Sequence, residues 1–254
     1  MNIDNEVQAR QAIGLLELLA FSQEDTEQRI VSLCRSALTP VGPVAGVCVS
    51  PVFVCLARAT LDRLQGRDVR VIGLVNFPAG RADVELAAQQ ARAVLLAGGD
   101  EVDVVYPFRA VLAGDTQVGA ELVGACKAEC GHRVPLTVTL ETGDLRDPQL
   151  IRSASRAAIA AGADFLKTCT GRLVAPATAQ AARIMLESIA EVGGQAGFKV
   201  AGGLRTVGDA QVFLALVKGR FGPNWLTPQR VRLGATSLLG DALARLGVLG
   251  VDEF

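Results

Sequence analysis

Short runs of apolar, often β-branched residues recur along this chain at a regular interval, with helical patterns between them. Successive centres lie 24 to 35 residues apart, which is the length of one strand followed by one helix. Eight such units in 254 residues predict an α/β fold, a single (β/α)8 TIM barrel that occupies residues 1–254 as one domain. The predicted strands centre on Leu15, Val47, Val71, Asp103, Val138, Lys167, Lys199 and Leu233.

Helix start signals support this division into units. Asp83 can cap one helix, Asp147-Pro148 can open another, and Thr206-x-x-Asp209 has the form of a capping box. The first unit is ambiguous, because Leu15–Leu19 could equally continue the helix that precedes it.

Composition and charge exclude several classes of protein. With 25 basic and 26 acidic side chains, the chain lacks the positive surface of a nucleic-acid-binding protein. Its longest uncharged run, residues 36–57, contains three prolines and two glycines, which does not suit a membrane-spanning helix. Residues 1–6 are polar and acidic, unlike a secretory signal. We therefore expect a soluble cytoplasmic protein.

The six cysteines are expected to be reduced thiols, since no export signal is visible. Cys126-x-x-x-Cys130-x-His132 offers three possible zinc ligands, but the two cysteines are spaced as neighbours on one helix face. We predict two thiols that face the core and no metal site. As the only histidine, His132 leaves little material for a Ser-His-Asp triad.

Lysine is rare in this chain, which uses arginine for nearly every positive charge. Only four of the 25 basic residues are lysines. Lys127 and Lys218 lie on helical patterns and are expected to be solvated, whereas Lys167 and Lys199 are predicted at the carboxyl ends of consecutive strands. A buried lysine can lose its proton and attack a carbonyl. The alternative is two lysines that extend to solvent from strand ends.

Asp103 is predicted to point into the barrel, because Val102 and Val104 share the opposite face of the same strand. A buried carboxylate is costly unless it is partnered. The lysines of the other strands could partner it, either in catalysis or as a purely structural salt bridge.

The loops after the last two strands have the composition of a phosphate site. Gly202-Gly203-Leu204-Arg205-Thr206 lies between a strand and a helix start, and Gly234-Ala235-Thr236-Ser237 lies at the same place one unit later. Free amides, hydroxyls and a helix dipole can bind an anion there. Thr170-Gly171-Arg172 could add another amide.

Several segments together resemble the deoxyribose-phosphate aldolases over nearly the whole chain. They are Asn76-Phe77-Pro78, AGGDEVDVV at 97–105, GADFLKT at 162–168, FKVAGGLRT at 198–206 and RLGATS at 232–237. The resemblance implies a cofactor-free class I aldolase, a lyase that reversibly cleaves 2-deoxy-D-ribose 5-phosphate to D-glyceraldehyde 3-phosphate and acetaldehyde. It implies a role in deoxyribonucleotide and carbohydrate catabolism, and the family suggests a homodimer.

By the same resemblance, Lys167 is the Schiff-base lysine, and Lys199 and Asp103 are its proton-handling partners. A protonated imine provides the electron sink that carbon–carbon cleavage needs. We expect Lys199 to be the neighbouring cation that, with desolvation, favours the neutral form of Lys167. Asp103 would shuttle protons through a water.

The chain departs from the family at several positions. Glu17 and Leu19 stand where members commonly have aspartate and threonine, and Thr137 replaces a common lysine. The chain ends at residues 251–254 without the terminal tyrosine of some members. Two alternatives therefore remain open: a Schiff-base aldolase for a different aldehyde pair, and a non-catalytic barrel that binds phosphosugars.

Overall fold

Eight parallel strands close into a barrel in the computed structural model, which describes residues 3–171 and 176–248. Each strand pairs with the next along the chain, and the last pairs with the first. The predicted (β/α)8 barrel is confirmed. The strands are β1 (Leu16–Ala20), β2 (Gly46–Val49), β3 (Arg70–Val75), β4 (Glu101–Val105), β5 (Leu136–Thr139), β6 (Phe165–Lys167), β7 (Gly197–Ala201) and β8 (Val231–Gly234).

Helices alternate with these strands and cover the outside of the barrel. They are α1 (Ile3–Leu15), α2 (Glu27–Ser36), α3 (Val54–Arg63), α4 (Val84–Leu96), α5 (Phe108–Leu112), α6 (Gln117–Cys130), α7 (Thr142–Leu145), α8 (Pro148–Ala160), α9 (Ala179–Glu191), α10 (Val207–Phe221) and α11 (Leu238–Arg245). Short 3-10 helices span Pro51–Phe53 and Pro223–Trp225, and a small hairpin pairs Leu38–Thr39 with Gly42–Pro43. None of the described helices combines the length and apolar character needed to cross a membrane.

The three predicted helix starts are confirmed by their capping bonds. The Asp83 carboxylate accepts from Leu86 N–H, in the third residue of α4, and the Asp147 carboxylate accepts from Gln149 N–H at the start of α8. Thr206 and Asp209 form both bonds of a capping box at α10. These side chains satisfy amides that the first turn of a helix otherwise leaves unpaired.

The predicted centre of the first strand was wrong. Leu15 is the last residue of α1, and β1 begins at Leu16. Local pattern could not decide between the two, since leucines occupy both sides of Glu17. Pairing decides it, because β1 lies between β8 and β2 and closes the barrel, with Glu17 opposite both Gly234 and Gly46.

The register of the strands determines which side chains enter the barrel interior. Adjacent parallel strands align Lys167 with Lys199 and Lys199 with Arg232, and partners at one level point to the same side of a sheet. Asp103 aligns with Thr137 in the same way. The inward direction predicted for Asp103 is confirmed by its contact with Lys167, 64 residues away in sequence.

Candidate active site

Lys167 lies at the carboxyl end of β6 with its side chain almost wholly buried. Its Nζ donates to Asp103 Oδ2 at 2.7 Å. The other oxygen of that carboxylate accepts from Thr139 Oγ1 at 2.6 Å. Three neighbouring strands, β4, β5 and β6, therefore fix one amine against one carboxylate.

The charge state of Lys167 is controlled by this contact. Burial by itself lowers the pKa of Lys167, but the Asp103 carboxylate, together with Cys48 and Glu17, outweighs burial, and the pKa lies above its ordinary value. The expectation that a neighbouring cation favours neutral Lys167 was therefore wrong for the unliganded site. Lys167 is an ammonium with a dedicated counter-ion.

Lys199 belongs to a separate cluster of buried charges. It lies in the middle of β7, not at its carboxyl end as predicted. Its Nζ is 2.7 Å from Glu17 Oε1 and 3.0 Å from Glu101 Oε2. Arg232 contacts the same two carboxylates, at 3.3 Å and 3.1 Å. We call Glu17, Glu101, Lys199 and Arg232 the buried quartet.

The buried quartet explains why Lys199 does not act as a free cation beside Lys167. Burial alone would lower the pKa of Lys199, but Glu101 and Glu17 raise it above its ordinary value. The Lys199 ammonium also lies 4.7 Å from the centre of the Phe165 ring, a favourable cation–π position. Two carboxylates thus compensate its charge at close range.

The loops predicted to bind phosphate lie next to one another at the mouth of the barrel. Ser237 Oγ donates to Leu204 O at 3.3 Å, which joins the loops after β8 and β7. A side chain on Gly171 would come within 3.7 Å of Gly202 N, so the loop after β6 adjoins that after β7. Gly171, Gly202 and Gly203 all have positive φ, a conformation that favours glycine.

Of the amide and hydroxyl donors predicted for an anion, the two hydroxyls already form hydrogen bonds. Thr236 Oγ1 accepts from Leu19 N–H at 2.9 Å and donates to Leu19 O at 3.1 Å. The Ser237 hydroxyl donates to Leu204 O. Among the described residues, the backbone N–H groups of Gly202, Gly203, Thr236 and Ser237 donate no hydrogen bond. Main-chain amides rather than hydroxyls are therefore free.

Carboxylates already accept from three backbone N–H groups at the start of α10. Asp209 accepts from Arg205 N–H and Thr206 N–H, and Asp241 accepts from Val207 N–H. These carboxylates already interact with the positive end of the helix dipole, and its use for an anion stays a prediction. Arg205 is exposed. Arg172 and the C-terminal residues 251–254 lie outside the described residues.

Because Gly234 has no side chain, the space next to the Lys167 side chain stays open. A Cβ at this position would lie 2.9 Å from Ala201 Cβ and 3.7 Å from both Leu19 Cδ1 and Lys167 Cε. Gly234 thus lines the amine site, in addition to its place in the predicted phosphate loop.

The remaining lysine and cysteine predictions have mixed outcomes. Lys218 is exposed as expected, but the expectation for Lys127 was wrong: its Nζ pairs with Asp164 at 2.6 Å and the side chain is mostly buried. Cys126 and Cys130 face the core, as predicted, and burial raises the pKa of the Cys126 thiol to about 12. His132 is exposed.

Sequence reasoning missed Thr139, Glu101, Arg232 and Glu141. The inward direction of Glu101 could have been found by extending the strand alternation that placed Asp103, since Glu101 is two residues before it on the same face. Glu141 has left-handed backbone geometry and accepts from Thr170 N–H at 3.0 Å, which anchors the loop after β6. Burial raises the pKa of Glu141.

A closed (β/α)8 barrel with a buried lysine at the carboxyl end of a strand has its reactive group where enzymes of this fold have their active sites. Residues 12–223 match the family described as DeoC/LacD family aldolase. The chain belongs to this family.

Solved structures agree with this assignment at the level of the fold. A candidate deoxyribose-phosphate aldolase from Toxoplasma gondii ME49 superposes with a TM-score of 0.89 at 24% identity, covering 98% of this chain and 100% of that chain. Deoxyribose phosphate aldolase from Aeropyrum pernix, described as a tetramer, gives 0.75 at 21% identity, covering 98% and 100%. The aldolase QR15 gives 0.77 at 22% identity, covering 94% and 99%.

Proposed function

We propose that this chain is a class I aldolase that reversibly cleaves 2-deoxy-D-ribose 5-phosphate to D-glyceraldehyde 3-phosphate and acetaldehyde through an imine on Lys167. The observation that carries the proposal is the contact of 2.7 Å between Lys167 Nζ and Asp103 Oδ2 at the carboxyl end of β6. The same site adjoins loops whose free amides suit a phosphate.

The contact with Asp103 gives the Lys167 ammonium a base at hydrogen-bond distance. Transfer of one proton to Asp103 leaves a neutral amine, which adds to the substrate aldehyde and forms a carbinolamine. Asp103 then returns the proton to the departing hydroxyl, and water leaves. The product is an iminium cation that faces the Asp103 carboxylate, so the charges of the resting pair are restored.

Cleavage breaks the bond between C2 and C3 of the bound sugar. The C3 hydroxyl loses its proton, C3 becomes the aldehyde carbon of glyceraldehyde 3-phosphate, and the bonding electrons enter the iminium to give an enamine. Protonation of the enamine carbon and hydrolysis release acetaldehyde and Lys167. Asp103, through a water, is the proposed group for these proton transfers.

The buried quartet and the glycine loops have supporting roles in this scheme. Lys199, held by Glu17 and Glu101, contributes a fixed and compensated charge beside the lysine that reacts. The amides of Gly202, Gly203, Thr236 and Ser237 hold the phosphate, which orients the sugar for cleavage.

Three further properties are part of the proposal. Residues 1–254 act as one catalytic domain, the enzyme works in the cytoplasm, where its six thiols stay reduced, and it forms a homodimer. Sedimentation equilibrium would test the dimer directly.

A coupled assay tests the reaction. Purified protein should release acetaldehyde from 2-deoxyribose 5-phosphate, measured as the NADH that added alcohol dehydrogenase consumes. The protein should act poorly on ketose phosphates. A clear preference for a ketose phosphate would contradict the substrate assignment. Lys167→Arg, which keeps the positive charge but cannot form the imine, should be inactive.

A further inference from the structure

Leu19 occupies a position beside the reacting amine where it can affect substrate choice. It lies on β1 and follows Glu17 by two residues, so both side chains point to the barrel interior. Leu19 Cδ1 and Lys167 Cε border the same space, each 3.7 Å from the Cβ position of Gly234. Leu19 is only partly buried, whereas Lys167 is inaccessible.

The main chain of Leu19 is tied to the loop proposed to hold phosphate. Its N–H and C=O both bond the Thr236 hydroxyl, at 2.9 Å and 3.1 Å. A sugar anchored at Lys167 by its first carbon and at this loop by its phosphate must therefore pass Leu19. The carbons between the two anchors carry the sugar's remaining hydroxyls.

Residue 19 has no polar group to offer such a hydroxyl. The leucine side chain has neither donor nor acceptor, and Thr236 occupies both of its backbone groups. Glu17, deeper on the same face, is fully buried. Its Oε1 contacts Lys199 and Arg232, and its Oε2 is inaccessible to solvent and has no hydrogen-bond partner among the described residues. Phe21, which follows the end of β1, packs its ring on Phe77 with centroids 5.0 Å apart. The β1 side of the site is therefore an apolar wall.

We propose that this apolar wall makes the enzyme indifferent to the C4 hydroxyl, so that its substrates include 2,4-dideoxypentose 5-phosphates. The inference rests on the proposed function. A site that hydrogen-bonds a substrate hydroxyl rejects the analogue without it, because the site's polar groups are then left unpaired. Leu19 leaves no such unpaired group.

The dideoxy substrate is cleaved by the same bond changes as 2-deoxyribose 5-phosphate. The bond between C2 and C3 breaks, its electrons enter the Lys167 iminium, and the C3 hydroxyl loses a proton to become an aldehyde. The products are 3-oxopropyl phosphate and, after protonation and hydrolysis of the enamine, acetaldehyde.

Acetaldehyde release provides one readout for both sugars. We expect the wild-type kcat/KM for the 2,4-dideoxy compound to lie within about tenfold of that for 2-deoxyribose 5-phosphate. A larger loss, or no cleavage of the dideoxy compound, overturns the proposal whatever the variants do.

Two variants of nearly equal size isolate the hydroxyl at position 19. Leu19→Thr should shift the preference toward 2-deoxyribose 5-phosphate by roughly five- to tenfold relative to Leu19→Val, the worth of one neutral hydrogen bond. Equal preferences in the two variants would overturn the proposal. Trapping of Lys167 with acetaldehyde does not involve the C4 hydroxyl, so it tests the aldolase function separately.

Discussion

At the scale of single residues, the pairing of Lys167 with Asp103 explains how a fully buried amine is accommodated in the unliganded protein. An isolated ammonium would be costly in the barrel interior, but the carboxylate at 2.7 Å and its bond from Thr139 compensate the charge. The iminium of the proposed mechanism is also a cation at Nζ. The counter-ion that stabilises the resting lysine is therefore already in place for the intermediate.

Replacing Asp103 with asparagine separates the two roles of this carboxylate. Without its charge, burial dominates, so the pKa of Lys167 should fall and half-maximal borohydride trapping should move to lower pH. The turnover number should fall about 100-fold, because the proton carrier is lost. Trapping measured against pH, together with kcat, checks both effects.

Asp164→Asn is the matched control, since Asp164 also pairs with a lysine, Lys127, at 2.6 Å but away from the amine site. Asp164→Asn should change neither the pH of half-maximal trapping nor kcat. A trapping profile of Asp103→Asn that moves to higher pH would contradict the role assigned to Asp103.

Two threonines on β5 provide a second comparison. Thr139→Val removes the bond to Asp103 and should lower kcat about tenfold. The buried Thr137 hydroxyl has no partner among the described residues, so Thr137→Val should raise the free energy of unfolding by about 1 kcal/mol and leave kcat unchanged. Urea unfolding and steady-state kinetics measure both variants. Equal losses of activity would mean that the bond from Thr139 has no special role.

At the scale of elements, the strand ends and the loops that follow them assemble the site. Thr236 joins the end of β1 to the loop after β8, and Ser237 joins that loop to the one after β7. The hydroxyls that looked like phosphate ligands in the sequence are therefore connectors between loops. The neighbouring amides, which donate no hydrogen bond among the described residues, are the donors proposed for the phosphate.

The phosphate assignment predicts a selective effect at Ser237, which is exposed. Ser237→Asp places a carboxylate near the phosphate and should raise KM for 2-deoxyribose 5-phosphate roughly tenfold or more by like-charge repulsion. Unphosphorylated 2-deoxyribose should be affected less than twofold. Ser237→Ala controls for loss of the bond to Leu204, and Ser153→Asp adds the same charge on the outer face of α8. Equal effects on both sugars would disprove the assignment.

The predictable part of the site follows from local pattern. Alternation along β4 predicted an inward Asp103, and the capping signals gave the starts of α4, α8 and α10. The contacts of the buried quartet could not be predicted in this way, because Glu101 on β4 meets Lys199 on β7 and Arg232 on β8 across the barrel interior. Their distances depend on how the strands tilt and close. Likewise, the occupation of Thr236 and Ser237 depends on contacts between loops that sequence spacing does not reveal.

At the scale of the whole molecule, three acids and three bases on the described barrel strands form ion pairs in the interior. Asp103, Glu17 and Glu101 oppose Lys167, Lys199 and Arg232. Removing one member leaves an uncompensated charge, which typically costs more than the pair contributes. The interior should therefore tolerate few single substitutions, and its stability should depend on pH.

Glu101 tests this dependence. Burial opposes its ionisation, but Lys199 and Arg232 hold the pKa of Glu101 below its ordinary value. Its contribution to stability is therefore present above the unfolded-state pKa, about 4.3, and is lost as pH falls. Glu101→Gln should cost roughly 3 kcal/mol at pH 7, and the difference from wild type should narrow at pH 4.

Urea unfolding at the two pH values measures this difference. Glu187→Gln removes a carboxylate that pairs with Arg152 on the surface. It should have little effect on the free energy of unfolding at either pH. A difference for Glu101→Gln that widens as the pH falls would contradict the charge assignment of the buried quartet.

The most direct test of the account is to find which lysine forms the imine. The protein is incubated with acetaldehyde, reduced with borohydride and digested, and the peptides are mapped by mass spectrometry. We predict an ethyl group on Lys167, with Lys127, Lys199 and Lys218 unmodified, and no such product in Lys167→Arg. Modification of Lys199 or of a surface lysine, with Lys167 untouched, would contradict the account.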